Sequence, residues 1–130
     1  MYTMKQVCEE VGMTYETLKF YCNEGLIPNV KRDKNNRRIF DEENLKWIKG
    51  LRCLKSCNMS LAEMKKYLEL CLGGQETIPV RKVMLAKKQD ELRKKIADIE
   101  EAIAYIDWKQ NFYNDVLSGK IEYYSNLTAE

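Results

Sequence analysis

The 130-residue chain contains no histidine and only two prolines. Without histidine, the usual Cys/His zinc site and imidazole acid–base catalysis lose their main residue. No apolar run approaches the roughly 20 residues that span a bilayer, and so much charge argues against a membrane protein. The start, Met1-Tyr2-Thr3-Met4-Lys5, leads straight into a helical pattern and shows no secretory signal. There is no CxxC pair, no glycine-rich phosphate loop and no nucleophile elbow. The cysteines are Cys8, Cys22, Cys53, Cys57 and Cys71. An odd number without a signal points to reduced cytosolic thiols, not a disulfide framework. The absences together predict a cytoplasmic chain that carries no metal and no cofactor.

What remains reads as helix almost throughout, so the expected fold is mostly α. Thr3 and Gln6 form a capping box ahead of Met4, Val7, Cys8 and Val11, which share one helical face. Gly12 ends that helix. Thr14 caps a second, running to about Glu24, with Leu18, Tyr21 and Cys22 inward and Gly25 as its stop. Two short helices joined by so tight a turn make a helix-turn-helix. Asp41 caps a third helix with a stripe of Leu45, Ile48, Leu51 and Leu54, flanked by Trp47. Ser60 and Glu63 form a second capping box, opening a helix with Leu61, Met64, Leu68 and Cys71 facing in.

The formal net charge is only +2, but it is unevenly placed. Lys31 to Arg38 holds five basic residues against one acid, Asp33. Apolar residues flank this segment and suit a two-stranded wing around Asn35-Asn36. A helix bearing hydroxyl, basic and aromatic residues, followed by a cationic loop, is what a winged helix-turn-helix DNA reader needs: the helix enters a major groove and the loop reaches neighbouring phosphates.

Gly73-Gly74 breaks the pattern, and Pro79 suits the first position of a new helix. From there to about Val116 the apolar residues Leu85, Leu92, Ile96, Ile99, Ile103, Ile106 and Tyr113 recur in steps of three and four or their multiples. Such a helix is on the order of 50 Å long. A small four-helix domain cannot bury that stripe alone, which predicts a coiled-coil homodimer. A helix folded back on its own domain is the alternative. The expected division is a DNA-binding domain over 1–72, a linker over 73–78, a dimerisation helix over 79–116 and a short tail over 117–130.

In this order of parts the chain resembles the MerR family of bacterial transcription regulators. The family's reading helix commonly runs T-L-R-Y-Y-E-x-x-G-L, and Thr17-Leu18-Lys19-Phe20-Tyr21-Cys22-Asn23-Glu24-Gly25-Leu26 stands in its place. The wing commonly ends G-Y-R-x-Y, matched by Asn36-Arg37-Arg38-Ile39-Phe40. Ile48 to Met64, ending Met59-Ser60-Leu61-Ala62-Glu63-Met64, echoes I-x-x-L-x-x-x-G-x-S-L-x-E-I. The departures are Lys19 for Arg, Phe20 for Tyr, Arg37 for the wing Tyr and Cys22 for an acid. They should alter operator preference and leave DNA binding in place.

By position, the resemblance assigns Thr14, Tyr15, Thr17, Lys19 and Tyr21 to the reading helix, with Tyr21 also on the core-facing side. It assigns Arg37 and Arg38 to the wing, with Lys31, Arg32 and Lys34 as phosphate neighbours. It implies a homodimer paired through an antiparallel coiled coil at Leu85, Leu92, Ile96, Ile99, Ile103 and Ile106. The dimer would sit on a pseudo-palindromic promoter operator in double-stranded DNA and distort it, acting on RNA polymerase indirectly. Metal-sensing members use cysteines near the start of the dimer helix and beyond; this chain has none after Cys71. Cys53, beside Arg52 and Lys55, resembles the single cysteine of the aldehyde- and electrophile-responsive subgroup related to the NmlR and AdhR regulators. Cationic neighbours suit a reactive thiolate, although a free cysteine also serves as a small apolar filler. The other classes to weigh are a thiol-based electrophile-scavenging enzyme, disfavoured by the lack of an activating base, and a coiled-coil protein adaptor.

Overall fold

The computed structural model describes residues 1–125. Residues 126–130, the end of the expected tail, lie outside the described residues. The elements run β1 (Tyr2–Thr3), α1 (Met4–Val11), α2 (Tyr15–Asn23), β2 (Lys31–Arg32), β3 (Arg38–Phe40), α3 (Glu42–Ser56), α4 (Leu61–Leu72), a 3-10 turn (Gln75–Thr77) and α5 (Ile78–Leu117). The chain separates into two compact units, one spanning Met1–Lys88 and the other beginning at Gln89.

The first unit is set by its caps. The Thr3 hydroxyl accepts from the Gln6 backbone while the Gln6 side chain accepts from the Thr3 backbone, which opens α1. Gly12, at φ 74°, ends it in the left-handed region that glycine enters without steric cost. α2 starts on the Thr14 hydroxyl. It closes with the Leu26 N–H donating to Tyr21 and the Gly25 N–H to Cys22, a Schellman ending. Asp41 opens α3 through a reciprocal box with Asn44, and Ser60 opens α4 through one with Glu63.

The wing is wider than the sequence pattern indicates. β2 and β3 pair as expected, with Lys31 opposite Ile39 and Arg32 opposite Arg38. β1 then joins the other edge of β3, with Tyr2 opposite Phe40 and Thr3 opposite Ile39, so the sheet has three strands in the order β1-β3-β2. A two-residue strand has no periodicity to detect; it is defined only by its pairing with β3. The turn is shaped by Asp33, whose carboxylate accepts from the backbone N–H groups of Asn35 and Arg37 at 2.9 and 3.0 Å.

Val7, Leu18, Phe40, Ile48 and Leu51 are fully buried and form the centre of the core. Tyr21, Met59, Met64 and Leu68 enclose them, with Met4, Cys8, Cys22 and Trp47 packed alongside. The loop after α2 carries polar backbone into this region, and α3 satisfies it. The Trp47 indole N–H donates to the Leu26 carbonyl at 2.8 Å, and the buried Asn44 amide donates to the Pro28 carbonyl at 2.8 Å. Lys88, near the start of α5 and buried, pairs with Glu63 of α4 at 2.9 Å.

α5 has 40 residues. In the second unit its seam is open: Ile96, Ile99, Ile103 and Ile106 are each more than half exposed. Near its C-terminal end, Trp108 stacks on the buried Phe112 at 6.1 Å, and Tyr124 meets Phe112 edge-on at 5.0 Å. Gly119, at φ 79°, reverses the chain there. Residues 118–125 contain neither helix nor strand.

Candidate nucleic-acid interface

α2 presents its polar face through its N-terminal turns. Thr14 and Thr17 are joined, hydroxyl to hydroxyl, at 2.8 Å. Tyr15 and Lys19, one helical turn apart, are both exposed, and Tyr15 retains 52% of its surface. Tyr21 lies on the opposite side and only 4% of it is exposed. Burial also pushes its phenol pKa up. Of the two roles open to Tyr21 in the sequence, the structure places it in the core, because its position follows the Leu18 stripe. Its ring lies 6.1 Å from that of the exposed Phe20.

The wing presents cations. Lys31, Arg32, Lys34 and Arg37 are exposed and Arg38 is half-buried. Lys31 lies 3.7 Å from Asp41, and the Arg32 guanidinium donates to the Asn36 carbonyl at 2.8 Å, bracing the turn. Arg38 reaches across to α2 and donates to the Asn23 side-chain oxygen at 2.7 Å. Lys5, Tyr15, Arg32, Arg37 and Arg38 thereby line one hollow, with Asp33 among them. Lys34 lies outside that hollow, as do Thr14, Thr17 and Lys19.

Two residues of this region, Lys5 and Asn23, carry no signal in the sequence, and a third, Phe20, stands out there only as a departure from the family's Tyr. Lys5 is brought in by the β1–β3 pairing. Phe20 is an exposed aromatic on α2, 46% uncovered, where a core-facing residue would be hidden. Asn23 gives no local signal, since its partner is fifteen residues away.

α2 is held at both ends. At its C-terminal end Glu24 pairs with Lys65 of α4 at 2.8 Å. Ahead of its N-terminal end, the Arg52 guanidinium of α3 donates to the Val11 carbonyl and stands against Gly12.

Among the cysteines, Cys53 is exposed on α3, in a shallow hollow with Glu10, Lys49, Arg52 and Ser56. The Ser56 hydroxyl donates to the Cys53 carbonyl at 2.6 Å. Cys8, Cys22, Cys57 and Cys71 are half-buried. Burial raises the thiol pKa of Cys8, and of Cys22 against the opposing pull of Arg38 and Arg32. Cys71 accepts from the Arg81 guanidinium at 3.8 Å. Among the described residues no three His, Cys, Asp or Glu side chains are grouped to hold a metal ion. Nor is any described helix long and apolar enough to cross a membrane.

A capped helix set beside a cationic three-stranded wing defines a winged helix-turn-helix nucleic-acid-binding domain. Residues 2–71 match the family model of the MerR HTH family regulatory proteins, and residues 44–108 match that of the MerR DNA-binding region. The chain belongs to the MerR family, and is a DNA-binding transcription regulator of that type. Over 112 residues it is 34% identical to an HTH-type transcriptional regulator of Haemophilus influenzae, spanning 86% of this chain and 83% of that one. Over 87 residues it is 37% identical to the HTH-type transcriptional regulator AdhR of Bacillus subtilis, spanning 67% of this chain and 62% of AdhR. Its fold is similar to the crystal structure of HiNmlR, a MerR family regulator lacking the sensor domain, bound to promoter DNA. There the TM-score is 0.73 at 32% identity, over 90% of this chain and 89% of that one.

Proposed function

We propose that the regulator acts in the cytoplasm as a homodimer on a pseudo-palindromic promoter operator, distorts that DNA, and so changes its use by RNA polymerase. The observation that carries this reading is the convergence of Tyr15, Arg32, Arg37 and Arg38 on one hollow between the α2 N-terminus and the wing. In it, Thr14, Tyr15, Thr17 and Lys19 meet base edges and nearby phosphates. Lys31, Arg32, Lys34, Arg37 and Arg38 neutralise phosphates, so most contacts position the protein and few read sequence. Phe20 joins the reading residues as an apolar contact of the kind that thymine methyl groups accept. Tyr21 supports the helix from below.

The exposed seam of Leu85, Ile96, Ile99, Ile103 and Ile106, with the half-buried Leu92, supports pairing of α5 with a second copy in an antiparallel coiled coil. The division into a DNA-binding domain over 1–72, a linker over 73–78, a dimerisation helix over 79–116 and a tail over 117–130 belongs to this reading. So does a thiol switch at Cys53, supported by its exposure and by Lys49 and Arg52 in the same hollow. An adduct there would shift the balance between two DNA-bound conformations, and a few kcal/mol of differential stabilisation changes promoter output strongly.

Selection of bound sequences from a random duplex pool, with and without a thiol-reactive aldehyde, tests the reading. The expected product is one motif with two-fold symmetry, since a symmetric dimer reads two half-sites. Enrichment of an asymmetric motif, or of none, would overturn it.

A further inference from the structure

Arg38 differs from the other wing cations in being tied to α2: Arg32 is held within the turn and Lys31 lies beside Asp41. The residue is half-buried, and its guanidinium donates to the Asn23 side-chain oxygen, in the last residue of α2, at 2.7 Å. The nearby acids are engaged elsewhere. Asp33 accepts from two backbone N–H groups of the turn, Asp41 lies beside Lys31, and Glu24 pairs with Lys65. The neighbouring Cys22 thiol is raised by burial and is neutral as well. A neutral amide therefore orients the guanidinium, assisted by the negative end of the α2 dipole. A guanidinium carries five N–H donors, so one bond to Asn23 leaves the rest for a ligand, and among the described residues no carboxylate forms an ion pair with it.

We propose that Asn23 is a positioning residue for DNA binding: it fixes the wing Arg38 relative to the reading helix without neutralising it. Resting on the reading of Arg38 as a phosphate contact, this inference assigns a role to a residue outside the contact set. Freed from Asn23, Arg38 still reaches phosphate, but its side chain must be ordered at the moment of binding, at a cost of about two- to tenfold in affinity. Replacing the amide by a carboxylate in the same place should pair the charge and remove about one phosphate interaction from the salt dependence.

The test measures dissociation constants for a random-sequence duplex by fluorescence anisotropy, between about 50 and 200 mM salt. The proteins are the wild type, Asn23→Ala, Asn23→Asp, Arg38→Ala and the double variant Asn23→Ala/Arg38→Ala. Thermal melting confirms that each is folded. Asn23→Ala should weaken binding about two- to tenfold with an unchanged salt slope. Asn23→Asp should lower the slope by about one unit, as Arg38→Ala does. In the Arg38→Ala background, Asn23→Ala should cost nothing further, because coupled residues are not additive. A general structural role for Asn23 would give the same loss in both backgrounds, and that result overturns the proposal. So does an Asn23→Ala protein that binds as well as wild type, or an Asn23→Asp protein with the wild-type slope. If Arg38→Ala alone leaves the slope unchanged, the wing reading fails first and takes this inference with it.

Discussion

Ile99 lies midway between Leu85 and Tyr113, the ends of the α5 seam. In an antiparallel pair related by a two-fold axis, the central residue faces its own counterpart, so Ile99→Asp would place two carboxylates opposite each other. In the single chain Ile99 is 59% exposed. Fully burying such a side chain contributes about 1.5–3 kcal/mol, so the partner's share is about 1–2 kcal/mol per copy, lost twice. Two carboxylates about 5 Å apart at an effective dielectric near 20 add about 3 kcal/mol of repulsion. The sum is about 5–7 kcal/mol, or on the order of a thousandfold or more in the dimerisation constant. Sedimentation velocity at micromolar concentration should show a wild-type dimer and an Ile99→Asp monomer, with circular dichroism checking that the fold persists. A variant that still sediments as a dimer would refute the two-fold seam. A wild type already monomeric would refute the coiled coil altogether.

Three further outcomes follow from named contacts. Asn44→Ala leaves the Pro28 carbonyl without its donor and the Asp41 backbone N–H without its acceptor in the α3 capping box, so urea unfolding should show a loss of about 1–3 kcal/mol; a change near zero would mean that water replaces the amide. The backbone N–H of Ser60 and the ammonium of Lys88 hold the Glu63 carboxyl down at about 2 instead of 4.5. A lowered carboxylate pKa contributes stability that is present above 4.5 and lost as pH falls toward 2. The melting-temperature gap between wild type and Glu63→Gln should therefore close across that window, and a constant gap would count against the assignment. Cys53→Ser should bind the selected operator normally and lose the response to aldehydes in a reporter strain, while Cys57→Ser keeps it; full induction in Cys53→Ser, or modification at another cysteine, would exclude Cys53 as the sensor.

The helices were legible because their signals are local. Thr3, Thr14, Asp41 and Ser60 each stand where a cap is needed, and Gly12 and Gly25 stand where the chain must turn left-handed. What stayed hidden is held by partners distant in sequence. β1 is two residues long and is recognisable only from its pairing to Ile39 and Phe40. Asn44 reads as an ordinary first-turn polar residue until Pro28 is brought to it. Tyr21 carries both a core periodicity and a family motif, and only burial decides between them. On the candidate face, the charge cluster from Lys31 to Arg38 was visible, but the Asn23–Arg38 contact was not, since it joins two elements across a loop whose path the sequence does not specify.

The chain contains two tryptophans, and the structure places one in each compact unit. Trp47 is anchored to the Leu26 carbonyl beside the core, and Trp108 stacks on Phe112. They act as native optical labels in different surroundings: one indole is hydrogen-bonded and half-buried, and the other is half-exposed among aromatic rings. Single-tryptophan proteins, made with Trp47→Phe or Trp108→Phe, would let emission follow the winged domain and the helical unit separately. Melting, DNA addition and thiol modification thereby become local spectroscopic events, without a dye at any cysteine.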